Sequence, residues 1–88
     1  MDTDKELEVM IGLSRERYTA FKNDYEVMGL LEAKRLAYAQ FIRRRDRVGR
    51  VEATRVLIQI AAIAKLALSE LYSDIEDEEY KTHFTPIL

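Results

Sequence analysis

The chain has no cysteine and a single histidine among its 88 residues. It therefore has no disulfide framework and no thiolate chemistry, and a zinc site of the Cys/His type is excluded. P-loop, G-x-G-x-x-G and nucleophile-elbow motifs are missing as well. Proline occurs once and glycine three times, while hydrophobic residues make up 48% and charged residues 34%. This composition is typical of a folded helical protein and not of a disordered one.

A long apolar run and a signal peptide are also lacking. The longest run, residues 56–68, is interrupted by Gln59 and Lys65 and is too short for a membrane span. The N-terminus is acidic and has neither the basic nor the apolar region of a signal peptide. We therefore expect a cytoplasmic protein with no membrane segment.

Apolar spacing predicts an all-α fold with three main helices, at about residues 4–22, 25–47 and 51–72. Thr3 has capping-box spacing with Glu6 at the start of the first helix, and Asn23 or Asp24 is suited to cap the second. Gly49 is suited to the position just past the end of the second helix.

Residues 1–79 are expected to form a single helical domain. Residues 80–88 are expected to be a C-terminal tail, docked on the body or on a neighbouring subunit. The tail prediction depends on its apolar residues, which are too many for a solvated end.

The third helix is apolar on nearly every face between residues 56 and 68. A helix of this kind is buried all round, and two other helices of so short a chain cannot cover it completely. We therefore predict an oligomeric helical bundle, a homo-oligomer of two or more copies with this helix at its centre. The predicted interface residues are Val56, Leu57, Gln59, Ile60, Ile63, Ala64 and Ala67.

Five arginines lie within residues 43–50, in a chain whose net charge is −2. One interpretation is structural, because cations at a helix C-terminus complement the helix macrodipole, and the acidic residues 74–79 can face the arginines across the fold or from a neighbouring chain. The other is an anion site, because guanidinium groups match phosphate or carboxylate in a two-point fashion. A pI of about 5.4 argues against a nucleic-acid partner.

Residues 30–41 ("LLEAKRLAYAQF") and 51–68 ("VEATRVLIQIAAIAKLAL") resemble the two central helices of the MazG-like, all-α nucleoside triphosphate pyrophosphohydrolases, small phage- and bacteria-encoded members above all. In that family one helix carries a Glu-Glu-x-x-Glu motif and the next a Glu-x-x-Asp motif. The resemblance implies a cage of carboxylates that holds Mg²⁺, which binds phosphate oxygens and activates water. For a phage-encoded chain it also implies the host cytoplasm as location.

The chain departs from that pattern at the metal ligands. Glu32 is the one carboxylate kept on the first helix, and Arg35 stands three residues after it. On the second helix Glu52 is kept, with Arg55 three residues on. Each pair is spaced to bond along its own helix, and two carboxylates opposed by two cations make a poor Mg²⁺ site.

The favoured hypothesis is a non-catalytic, MazG-like interaction protein without a cofactor, which binds a protein partner or a phosphate-bearing, nucleotide-like ligand. One alternative is a residual Mg²⁺-dependent nucleoside triphosphate pyrophosphohydrolase with Glu32 and Glu52 as ligands. Another is a nucleic-acid-associated regulator. The candidate binding residues are Arg35, Arg43, Arg44, Arg45, Arg47 and Arg55.

Overall fold

The computed structural model describes residues 2–17 and 21–83, and within them the fold is all-α, without strands. The helices are α1 (Thr3–Arg17), α2 (Asp24–Arg44), α3 (Arg47–Leu71) and the short α4 (Asp77–His83). Three main helices in an all-α chain confirm the predicted fold class.

Helix α2 begins at a polar cap and ends at a left-handed residue. The Asn23 side chain accepts a hydrogen bond from the Glu26 amide at 3.1 Å, and the Glu26 carboxylate accepts one from the Lys22 amide at 3.1 Å. The first bond satisfies an amide group that the helix leaves free, and the second ties the residue before the cap to the first turn. Arg45 then has φ of 57°, a conformation that cannot continue a right-handed helix.

Helix α3 starts four residues earlier than the sequence predicted, and Gly49 is the reason. Asp46 is the N-cap, since its Oδ1 accepts a hydrogen bond from the Gly49 amide at 2.7 Å. Gly49 therefore lies in the first turn of α3, and the prediction that it follows the end of α2 is wrong. Arg45 occupies the left-handed position that glycine usually takes.

Two other predicted boundaries differ from the structure. The Asp2 carboxylate accepts a hydrogen bond from the Lys5 amide at 3.2 Å, so Asp2 caps α1 in place of Thr3. Helix α4 runs across the predicted division at 79/80. Residues 84–88 lie outside the described residues, and the predicted docking of the tail stays a prediction.

Helix α3 is the centre of the fold. Helices α1 and α2 each pack against α3 and, over the described residues, not against each other. Helix α2 runs antiparallel to α3, since Lys34 Nζ donates to Gln59 Oε1 at 2.8 Å and Asp24 accepts a hydrogen bond from the Tyr72 hydroxyl. Helix α1 runs parallel to α3, because Leu7 lies by residues 54–61 and Ile11 by residues 65–69.

The core lies at the C-terminal half of α3. Phe21, in the connection from α1 to α2, packs with Ile63, Leu66 and Ala67, and partly buried residues of α1 and α2 surround this cluster. The Phe21 amide also donates to Glu70 Oε2 at 2.7 Å. A side chain and a backbone bond thus hold the α1–α2 connection against the same end of α3.

The cap of α3 leads to a prediction about acid stability. The hydrogen bond from the Gly49 amide, with a second from Arg44, lowers the pKa of Asp46. A carboxylate with a lowered folded-state pKa adds stability above its unfolded pKa and loses it as the pH falls through the folded one. We expect Asp46→Asn to lower the urea midpoint at neutral pH and the difference from wild type to shrink below about pH 4.

The matched control for this prediction is Asp74→Asn, at an exposed aspartate. A difference between Asp46→Asn and wild type that stays constant from pH 7 to about pH 2 would show that ionisation of Asp46 adds nothing to the cap.

Candidate interaction surface

The arginine-rich end of the molecule is formed by Arg43, Arg44, Arg45, Arg47 and Arg50, at the junction of α2 and α3. Only two residues, Arg45 and Asp46, separate the two helices, so arginines of both helix ends lie together. Arg43 and Arg44 are in the last turn of α2, where cations complement the macrodipole. Arg47 and Arg50 are at the N-terminus of α3, where the same dipole disfavours them. The helix dipole therefore explains only part of this cluster.

Two of these arginines line a hollow between α2 and α3. Its volume is about 260 Å³, below the roughly 300–1,000 Å³ of typical small-molecule pockets. The lining combines cations at the rim with apolar and aromatic side chains. The lining residues are Tyr38, Phe41, Ile42, Arg45, Arg50, Ala53, Thr54 and Leu57. We call this the arginine hollow.

Three of the candidate arginines bind carboxylates of their own chain. Arg35 donates to both oxygens of Glu32, at 3.1 and 2.7 Å. This hydrogen bonding, aided by the opposite charge, lowers the pKa of Glu32 and raises that of Arg35. Arg55 lies 3.4 Å from Glu52, and Arg44 lies 3.1 Å from Asp46. Neither Arg45 nor Arg50 has an ion-pair partner within the residues that the structure describes.

Arg35 and Arg55 do not converge on one cavity. Arg35 is seven residues, about two turns, before Ile42 and shares its side of α2. Arg55 is two residues before Leu57, about 200° round α3. Ile42 and Leu57 line the same hollow. Arg35 therefore lies on the side of the α2–α3 pair that carries the hollow, and Arg55 lies on the opposite side of that pair. A joint grip of these two arginines on one phosphate is therefore excluded.

Glu32 and Glu52 are not placed to share a metal ion. The Lys34–Gln59 hydrogen bond places these two residues at about the same height along the axes of α2 and α3. In that register Glu32 and Glu52 lie roughly 13 Å apart along the axis. They also lie on different sides of the plane formed by the two helices. Each carboxylate is engaged by the arginine that follows it. No group of three or more His, Cys, Asp or Glu that could hold a metal occurs in the described part of the chain.

The predicted interface residues divide into two groups. Val56, Ile63 and Ala67 are buried inside the single chain, and Gln59 bonds to Lys34 of the same chain. These four serve packing within the chain. Leu57 and Ala64 are exposed and Ile60 is half-buried, so these three remain available to another molecule.

Sequence reasoning missed two residues of this surface, Arg50 and Leu68. The predicted helix bounds put Arg50 in the connection between two helices, since Gly49 is suited to follow the end of the second helix; the capping spacing of Asp46 and Gly49 is the signal that places Arg50 on α3. Leu68 is 62% exposed. Its spacing of 11 residues from Leu57, about three turns, was the available signal.

The acidic segment, residues 74–79, lies at the far end of α3 from the arginine-rich end. The 25 residues of α3 span roughly 37 Å. The two charged ends of one molecule therefore do not meet, and the predicted contact across the fold is excluded.

None of the described helices combines the length and the apolar character that crossing a membrane needs. Comparisons with family models, with curated proteins and with solved structures find no match for this chain.

Proposed function

We propose that the chain is a non-catalytic helical interaction protein that binds an acidic segment of a protein partner at the arginine hollow. The observation that carries this proposal is the pairing of two uncompensated guanidinium groups, Arg45 and Arg50, with an apolar floor of Phe41, Ile42 and Leu57. Carboxylates of a partner would pair with the guanidinium groups of Arg45 and Arg50, and an apolar side chain between those carboxylates would cover the apolar floor. Arginine and aromatic residues are also the types enriched at protein interfaces.

A protein segment fits this surface better than a phosphate-bearing ligand does. The hollow is shallow and mostly apolar, whereas a free polyphosphate needs several donors that converge on it. The pyrophosphohydrolase alternative is disfavoured, since Glu32 and Glu52 face different sides and bond to Arg35 and Arg55. The chain's net charge of −2 also disfavours a nucleic-acid footprint.

The first test uses a fluorescent, amphipathic peptide of glutamate and leucine as the probe, followed by anisotropy without metal. We expect binding that weakens with salt, because the contact is between exposed charges. The double variant Arg45→Glu, Arg50→Glu is expected to weaken it by about tenfold or more, as like charges then face each other.

The matched control is Arg35→Glu, which also reverses an arginine on the hollow's side of α2, but one that already has a carboxylate partner. It is expected to change the affinity by less than about twofold. Inorganic triphosphate is the competing probe. Binding of triphosphate in place of the peptide, or equal losses in Arg35→Glu and the double variant, would contradict the proposal. So would release of pyrophosphate from ATP and Mg²⁺ that Glu32→Gln abolishes.

A further inference from the structure

Helix α3 keeps an uncovered apolar strip after α1 and α2 have packed against it. The strip consists of Leu57, Ala61, Ala64 and Leu68. Leu57 is 49% and Leu68 62% exposed, Ala64 is exposed, and Ala61 is half-buried. Their spacing of four, three and four residues is that of a coiled-coil seam. One face of the central helix is thus shaped to receive another helix.

Side chains of α2 and α1 border this strip at the Leu57 end. The arginine hollow lies on the α2 side, and a second hollow of about 240 Å³ lies on the α1 side, where Thr3 and Leu7 face Ile58 and Ala61. Both hollows include Thr54 and Leu57. A helix laid on the strip therefore has room for its side chains on both flanks.

The strip is complementary to itself in one orientation. Its midpoint falls between Ala62 and Ile63. In an antiparallel pair with a two-fold axis at that point, Leu57 of each copy faces Leu68 of the other and Ala61 faces Ala64. The two small residues at the centre let the helices approach closely, and the leucines close both ends. Self-pairing of this kind, in which each contact occurs twice, is the rule for two-fold interfaces.

Charge selects the same orientation. The antiparallel pair places the arginine-rich end of each copy beside the C-terminal end of the other copy's α3, from which the acidic segment follows. Ile75 is 43% exposed and lies between Asp74 and Glu76, so it combines an apolar side chain with carboxylates on both sides. A parallel pair instead places arginines against arginines, which is unfavourable. Within one chain the two ends lie too far apart to meet, whereas the antiparallel pair brings opposite charges together.

We propose that a second copy of this chain binds antiparallel along α3, with the Leu57–Leu68 strip as the seam and its acidic segment over the arginine hollow. This inference rests on the proposed function and names the partner. In such a dimer the arginine-rich end of each copy meets the acidic segment of the other, so the same contact occurs twice.

The first experiment measures the mass of the full chain in solution across concentration. At micromolar protein we expect twice the 10.3 kDa of the chain. Leu68→Glu is expected to raise the dimer dissociation constant by roughly a hundredfold or more, because two buried leucines per dimer are replaced by charges. Leu36→Glu is the matched control, at a leucine that is 51% exposed on the outer face of α2, and it should leave the mass doubled.

The second experiment reads the orientation from disulfides, which is possible because the chain has no cysteine. Ala61→Cys and Ala64→Cys variants are mixed, unfolded, refolded together and oxidised. The antiparallel seam brings residue 61 of one copy to residue 64 of the other, within disulfide range, so we expect the mixed disulfide to exceed clearly the half of all disulfides that random pairing would give. Predominance of the symmetric disulfides would overturn the antiparallel arrangement.

The outcome for this inference is separable from that for the proposed function. A mass of 10.3 kDa at micromolar concentration, in wild type, overturns the self-pairing, while the glutamate–leucine peptide can still bind. Because the partner's acidic segment would compete with the peptide for the hollow in a dimer, the peptide is titrated against the Leu68→Glu monomer as well, and failure of that monomer to bind it overturns the proposed function and leaves the seam in place. Circular dichroism of Leu68→Glu checks that its helices are retained.

Discussion

Gly49→Ala is expected to destabilise the fold by roughly 2 kcal/mol, although alanine is the better helix former. A Cβ at Gly49 would lie 2.5 Å from the backbone oxygen of Phe41 and 3.0 Å from Arg44 Cβ. A backbone oxygen cannot turn away as a side chain can, so the last turns of α2 must shift. Overpacking of this kind costs about 1–3 kcal/mol, which outweighs the gain of up to about 1 kcal/mol in helix propensity.

Gly29→Ala provides the matched control, because it is the same substitution in the neighbouring helix. A Cβ at Gly29 meets nothing within 4 Å, so we expect it to stabilise the chain by about 1 kcal/mol. Urea unfolding at one fixed protein concentration measures both variants and keeps any self-association constant. Equal shifts of the two midpoints, in either direction, would show that α2 and α3 do not pack closely at Gly49.

The helices could be predicted from the sequence because their signals are local. The apolar spacing and the capping residue Asn23 belong to short stretches of chain, and α2 begins at Asp24, one residue before the predicted start. The α2–α3 junction was missed because glycine usually ends a helix. Here Arg45 takes that role with φ of 57°, and Gly49 is required for the close approach of Phe41, which no local pattern reports.

The candidate site could be predicted only in part, for a reason of geometry. Arginine is visible in a sequence, but the partner of each side chain depends on which helix faces which. Arg35 and Arg55 have the same spacing to a glutamate, and both pairs form as that spacing indicates. Whether the two arginines meet depends on the level and rotation of α2 against α3, and these follow from Lys34, Gln59 and Gly49 together.

The arginine hollow depends on the same long-range information. Arg45 and Arg50 lie on either side of the start of α3, which the sequence predicts four residues too late. The sequence therefore does not predict that these two arginines line one hollow with Tyr38 and Leu57. The central role of the third helix was accessible, because a helix apolar on most faces has to be covered on most faces. Leu57 and Leu68 are what α1 and α2 leave uncovered.

Phe21→Ala is expected to cost about 3–5 kcal/mol, the largest effect of any single substitution considered. Phe21 is 7% exposed and packs on Ile63, Leu66 and Ala67, and among the described residues it is the aromatic side chain of that cluster. A chain of this size has about 5–15 kcal/mol of stability in all. The loss of stability measures the contribution of the side chain alone, because alanine keeps the backbone amide that donates to Glu70.

Tyr25→Ala is the control for this substitution, since it removes a neighbouring aromatic ring that is 81% exposed and should change stability by less than about 0.5 kcal/mol. Phe21→Leu, which keeps most of the buried volume, is expected to cost less than about 1.5 kcal/mol and serves if Phe21→Ala does not fold. A graded loss in the order Tyr25→Ala, Phe21→Leu, Phe21→Ala places the core at the α1–α2 connection. Equal tolerance of the three would mean that Phe21 does not hold this connection against α3.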